Sequence, residues 1–133
     1  MTHTRFFPFL VACVFSTLLL TADSLAAEPW LQYKFDSRHS GDAPDRNIQT
    51  PLRLAAAIPL GDGIYTSPVV TGNHLYVVDG GGQATCIDTR TFQVVWKRPS
   101  RGGKDNCNNV SSPAVTGDYL HFGTMAGYYY VLN

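Results

Sequence analysis

The chain is short of most things that catalysis and nucleic-acid binding use. It has a single glutamate, Glu28, and no adjacent pair of cysteines. Lysine plus arginine (10) balance aspartate plus glutamate (10), and charged residues make up only 15% of the chain. That balance argues against a nucleic-acid binder, which usually presents a basic face. No G-x-S-x-G elbow is present, so Ser67 and Ser112, each placed before a proline, are not set up as nucleophiles. His39, His74 and His121 lack the spacing of a metal site. Asp105, Asn106, Asn108 and Asn109 carry oxygen ligands suited to calcium, but Cys107 interrupts the run and no D-x-[DN]-x-[DN]-G loop is formed. A solvated loop of turn-forming residues explains them better. Asn109-Val110-Ser111 matches the glycosylation acceptor pattern by chance. Lys97, Arg98, Arg101 and Lys104 read as a solvated basic loop.

Long apolar runs are also lacking, with one exception at the start. Arg5, the apolar residues 6–20 and the small-residue exit Ser24-Leu25-Ala26-Ala27 form a secretory signal peptide over residues 1–27. The run of about 15 residues falls short of the roughly 20 that a membrane-spanning helix needs. Leu10-Val11-Ala12-Cys13 resembles a lipobox, which would give a lipid anchor at Cys13. Against this, the apolar run continues past that cysteine and would be left exposed on the processed chain. The expected location is therefore periplasmic or secreted, without a membrane span. Removal of the signal leaves 133 − 27 = 106 residues, enough for a small domain. Of the three cysteines, Cys86 and Cys107 then remain in a compartment that permits disulfides. A Cys86–Cys107 bridge would close a loop of about 22 residues and contribute about 3 kcal/mol in the chain-entropy model. Sequence alone leaves this open against two unpaired thiols.

What is present is a repeat. Residues 67–88, SPVVTGNHLYVVDGGGQATCID, return as residues 112–133, SPAVTGDYLHFGTMAGYYYVLN, at an offset of 45. Ser67, Pro68, Val70, Thr71, Gly72, Leu75 and Gly82 recur as Ser112, Pro113, Val115, Thr116, Gly117, Leu120 and Gly127. Within one copy, Val69-Val70 opens a strand, Thr71-Gly72-Asn73 is turn chemistry, and residues 75–78 form an apolar strand expected to be buried on both faces. Asp79-Gly80-Gly81-Gly82 is a second turn, residues 84–87 a third strand and residues 92–96 a fourth, ending near Trp96. A period of 40 to 50 residues built from short strands predicts an all-β chain of β-propeller type. Its blade repeats would be residues 64–97 and 110–133, about one and three-quarter blades within a partial propeller over residues 52–133. Residues 28–51 read as an ordered loop tied down by Trp30, Tyr33 and Phe35. Residues 52–58 are an apolar strand candidate that aligns with residues 92–98 at an offset of 40, Ala56 matching Trp96 and Pro59 matching Pro99. Tyr128, Tyr129 and Tyr130 read as a strand packed between blades rather than a stacking platform for sugars or bases.

Three stretches resemble the pyrroloquinoline-quinone-like (PQQ-like) β-propeller repeat proteins, a periplasmic or secreted group. They are Trp30 with Phe35-Asp36-Ser37-Arg38-His39-Ser40-Gly41, the Ser-Pro-Val-Val run with its following Asp-Gly, and Val94-Val95-Trp96-Lys97 at the blade end. The resemblance spans residues 30–133 and implies a propeller of six to eight blades, of which this sequence holds fewer than two. In the family a strand ahead of the first blade often completes the last one, and residues 52–58 sit where that strand would be. The resemblance implies a non-catalytic module for protein interaction or scaffolding. Its partners would be other proteins or the remaining blades of a larger propeller, with no nucleic acid. The competing expectation is the N-terminal part of a PQQ-dependent oxidoreductase, with PQQ and calcium as cofactors. The quinone-dependent enzymes that share the fold use adjacent cysteines and a glutamate among their calcium ligands. This chain has neither set, so no catalytic, cofactor-binding or metal residues are assigned.

Overall fold

The structure is a computed structural model that describes residues 29–43, 46–100 and 109–133. The signal peptide, Cys13, Cys107 and the acidic and amide residues 105–108 lie outside the described residues. Those described are all-β, with two antiparallel sheets and no helix. The first sheet has the order β1 (Val69–Thr71), β2 (His74–Val78), β3 (Gln83–Asp88) and β4 (Val94–Pro99). The second has β5 (Ala114–Thr116), β6 (Tyr119–Gly123) and β7 (Tyr129–Leu132).

The 45-residue repeat holds at the level of single strand pairs. Val69 faces Tyr76 and Leu75 faces Ile87 in the first sheet; Ala114 faces His121 and Leu120 faces Leu132 in the second. The recurring glycines explain themselves through φ. Gly72 and Gly117 open the two-residue β1–β2 and β5–β6 turns at φ 54 and 57. Asn73 and Asp118 are not in that region, so each turn asks for a glycine at its first central position only, the II′ pattern. Gly82 and Gly127, at φ 78 and 81, close the next turns. There the Gly82 N–H donates to the Asp79 carbonyl at 2.9 Å and the Gly127 N–H to the Thr124 carbonyl at 3.0 Å.

The core lies between the sheets. Val69, Val78 and Ala84 of the first sheet are buried with Leu120 and Phe122 of the second. Tyr76 and Trp96 on one side, and Val115, Tyr130 and Leu132 on the other, complete the packing. Phe122 and Tyr130 stack at 5.1 Å with their planes 13° apart. Period-2 alternation therefore assigns opposite faces of the repeat to this one interface. The first sheet contributes the side of Val69 and Tyr76, while the second contributes the side of Leu120 and Phe122, whose 45-residue counterparts in the first sheet are Leu75 and Val77.

Several expectations shift. Residues 52–58 form no strand: 52–57 lie exposed, Leu54 at 85%, and Ile58 is half-buried, with no ladder partner among the described residues. An apolar pattern alone makes no strand without a neighbour to accept its hydrogen bonds. β2 is buried only at Val77 and Val78, because its other end reaches the open hairpin turn. The last strand of the first sheet runs Val94–Pro99 rather than 92–96. Asp88 folds residues 89–93 into a turn instead, and Phe92 sits there at φ 58. Val95 is the extra residue of a β-bulge, since Cys86 faces Trp96 while Ile87 faces Val94. Of the three consecutive tyrosines, Tyr130 packs in the core while Tyr129 is 71% exposed. Strand alternation sends neighbouring rings to opposite sides.

Thr85 is fully buried in β3 and its hydroxyl finds no partner among the described residues. Replacing that hydroxyl with a methyl group of the same shape removes the cost of an unmade hydrogen bond. Thr85→Val is expected to raise the unfolding free energy by about 1 kcal/mol, read as a higher urea midpoint with an unchanged slope. A lower midpoint would contradict it.

Candidate functional site

The outer side of the second sheet carries a row of aromatic side chains. Tyr119, His121 and Tyr129 form a row on it, with ring centroids 6.4 Å and 6.1 Å apart along the row. Alternation puts them together: Thr116 pairs with Tyr119, Ala114 with His121, and Gly123 with Tyr129, all on one side of the sheet. Tyr119 is 49% exposed and Val131 is 51% exposed on the same side. The row was missed in the sequence because its three rings come from two strands. The only available signal was the alternation in Tyr119-Leu120-His121-Phe122.

Between the sheets, at the β1–β2 and β5–β6 turn end, a groove of about 320 Å³ runs past His74, Tyr76, Trp96, Asp118, Leu120 and Asn133. Tyr76 and Trp96 meet at 5.9 Å along its wall. Aromatic walls with polar groups at the rim describe a general binding groove and specify no reaction.

The remaining candidates are held apart. His39 meets Tyr33 edge-on at 5.7 Å in the N-terminal loop, His74 tilts against Tyr76 at 6.2 Å, and His121 lies in the aromatic row. Among the described residues no group of three His, Cys, Asp or Glu side chains could hold a metal ion. Ser67 and Ser112 meet each other: the Ser67 N–H donates to the Ser112 hydroxyl at 2.9 Å, which ties the starts of the two repeats together. Asn109 is fully buried, and its side chain engages the Ser111 backbone rather than a surface ligand. Lys97 and Arg98 lie on the exposed edge strand β4. Arg101 and Lys104 lie outside the described residues.

Cys86 is buried between Tyr76 and Trp96 in the strand rows, with no disulfide partner among the described residues. Its bridge to Cys107 cannot be placed, because Cys107 lies outside the described residues. Burial pushes the thiol up to about 11, with the Asp88 charge acting the same way and the Tyr76 hydroxyl opposing both. Burial also raises Tyr76, with Cys86 adding to it. Two aspartates shape loops. The Asp36 carboxylate accepts from the Ser40 N–H at 2.9 Å and the Ser40 hydroxyl at 2.9 Å, and the Ser40 backbone bond is the chief cause of its lowered pKa. The Asp88 carboxylate accepts from the Thr91 N–H at 2.9 Å and the Arg90 N–H at 2.8 Å. These two bonds bring Asp88 down to about 2, with the Arg90 guanidinium at 3.3 Å a smaller cause.

No family model, no curated protein and no solved structure matches the chain.

Two predictions follow from the titrating groups. Asp88 has a folded pKa of about 2, below its ordinary 3.8, so it stabilises the fold above pH 4 and loses that contribution as pH falls through 2. The urea midpoint is expected to fall from pH 5 to pH 2.5, and to fall less in Asp88→Asn. An equal fall in both proteins would show that Asp88 is not a source. The second concerns Cys86, whose raised pKa and burial keep the nucleophilic thiolate scarce and out of reach. In a Cys13→Ser, Cys107→Ser variant, a disulfide thiol reagent at pH 8 is expected to react at least tenfold faster in urea than in native buffer. Equal rates would place the thiol at the surface.

Proposed function

We propose that the chain is a non-catalytic β-propeller repeat module of PQQ-like type, exported to the periplasm or secreted, that serves protein interaction or scaffolding. The observation that carries this reading is the pair of sheets with the same strand register at an offset of 45 residues, stacked face to face. Consecutive blades of a propeller have this relation: each repeat buries its neighbour and leaves loops at the two ends. The row of Tyr119, half-buried His121 and Tyr129, with both tyrosines exposed, supports it further, because aromatic rings with one polar end are enriched at protein interfaces. Export rests on residues 1–27 of the sequence.

The competing reading, the N-terminal part of a PQQ-dependent oxidoreductase, makes a different demand on the protein. The full chain incubated with PQQ and calcium is expected to carry no quinone absorbance through gel filtration and to support no dye-linked alcohol oxidation. Co-elution of quinone with activity would overturn the scaffold reading. Expression in a bacterial host is expected to deliver a processed chain to the periplasm, its N-terminus at residue 27 or 28. An unprocessed cytoplasmic product would remove the export part of the proposal.

A further inference from the structure

The dipeptide Asp-Gly occurs twice in the chain, at Asp62-Gly63 and at Asp79-Gly80. An aspartate followed by glycine cyclises readily, because glycine has no Cβ to restrict how its nitrogen meets the side-chain carboxyl. The fold treats the two copies in opposite ways. Asp79-Gly80 opens the β2–β3 turn and is buried. The Asp79 carboxylate accepts from the Gln83 N–H at 2.9 Å, and the Gly80 N–H donates to the Gly63 carbonyl at 2.7 Å. The Gly80 nitrogen is thus engaged away from the Asp79 carboxyl, and water is kept from both. Asp62-Gly63 lies ahead of β1 in a segment that belongs to neither sheet, with Asp62 half-buried between exposed Gly61 and Gly63. There the Gly63 N–H donates to the Asp62 carboxylate itself at 2.8 Å, and to no other group among the described residues.

We infer that Asp62 is a site of spontaneous isomerisation to isoaspartate, and that the fold spares Asp79. The Gly63 nitrogen bonds to the side-chain carboxyl carbon of Asp62, and the proton of the nitrogen leaves with the carboxyl OH as water. This closes a cyclic imide. Water then adds to the main-chain carbonyl carbon of Asp62 and breaks its bond to the Gly63 nitrogen, which takes up the proton. The product has the composition of the starting chain, and the only co-reactant is water. Its main chain now runs through the former side chain and is one carbon longer. That carbon enters where the chain is fitted closely. The Gly63 carbonyl accepts from the buried Gly80 N–H, and a Cβ built on Gly61 would lie 3.1 Å from an Asp79 carboxylate oxygen. Lengthening the chain between these two contacts displaces the Gly63 carbonyl and leaves the Gly80 N–H unmet away from water, which costs about as much as a lost hydrogen bond. Isomerisation at Asp62 therefore loosens the β2–β3 turn of the first repeat. The inference stands on local geometry and holds whether or not the scaffold reading does.

The test holds the full chain for weeks at body temperature near neutral pH, once folded and once in urea, and then digests it with trypsin. The peptide of residues 54–90 carries both Asp-Gly pairs, so each serves as the other's control. Electron-transfer fragmentation locates isoaspartate at one position or the other. In the folded chain the isoaspartate fraction at Asp62 is expected to be at least tenfold that at Asp79, and in urea the two fractions are expected to be comparable. Asp62→Glu keeps the charge but would have to close a larger ring, and is expected to stop the reaction at that position. The aged chain is expected to unfold at a lower urea midpoint than fresh chain, while aged Asp62→Glu keeps its own fresh midpoint. No isoaspartate at Asp62 in the folded chain, or equal fractions at both sites, would overturn the inference. A tenfold excess that persists in urea would also overturn it, because the neighbouring sequence and not the fold would then set the difference. An unchanged midpoint in chain that carries isoaspartate at Asp62 would overturn the loosening of the turn. None of these readouts involves a partner, quinone or export, so failure here leaves the proposed function untouched.

Discussion

The arrangement of the two sheets depends on one short peptide. Trp30 and Leu31 run along the inner strands of both sheets, bonded on one side to Val70 and on the other to Val115. The Val70 bonds occupy a donor and an acceptor that the β1–β2 ladder leaves unused, and in β5 the Val115 N–H donates to the Leu31 carbonyl. An inner strand of three residues has few bonds of its own, and an unmet backbone group away from water costs about as much as a lost hydrogen bond. The Trp30 ring holds the peptide in place. It packs against Phe35 at 5.2 Å, with the Arg46 guanidinium 5.7 Å from the Trp30 ring and 4.6 Å from the Phe35 ring. The N-terminal loop thus acts as a clamp between the repeats.

The repeat then decides which surfaces are spent and which remain. Each sheet has two sides, and the interface uses one side of the first and the opposite side of the second. Identical register therefore leaves the second sheet with Tyr119 and Tyr129 exposed and His121 half-buried between them, on the side that, in the first sheet, packs through Val69, Tyr76 and Trp96. A stack of this kind is directional and has unlike ends.

The sequence was informative where chemistry is local. The seven residues recurring at an offset of 45 located the strands and turns, and Gly72, Gly82, Gly117 and Gly127 sit at positive φ because those turns require it. Alternation predicted that the strands would have an inner and an outer side. In the N-terminal loop the aromatic residues Trp30 and Phe35 touch. Local pattern failed where a partner was needed. Residues 52–58 look like β4 in sequence but lack a neighbouring strand among the described residues, and the shift of β4 toward Pro99 came from the Asp88 turn that precedes it.

What the sequence by itself determined was the all-β class, the repeat length and the turn geometry, since each rests on contacts between residues a few positions apart. Tertiary structure alone decided that Tyr130 is packed while Tyr129 is exposed, and that Ser112 holds Ser67. It also decided that Trp30 and Leu31 join both sheets. These features depend on which face of one sheet meets which face of the other. Alternation leaves that choice open, and long-range packing and hydrogen bonding make it.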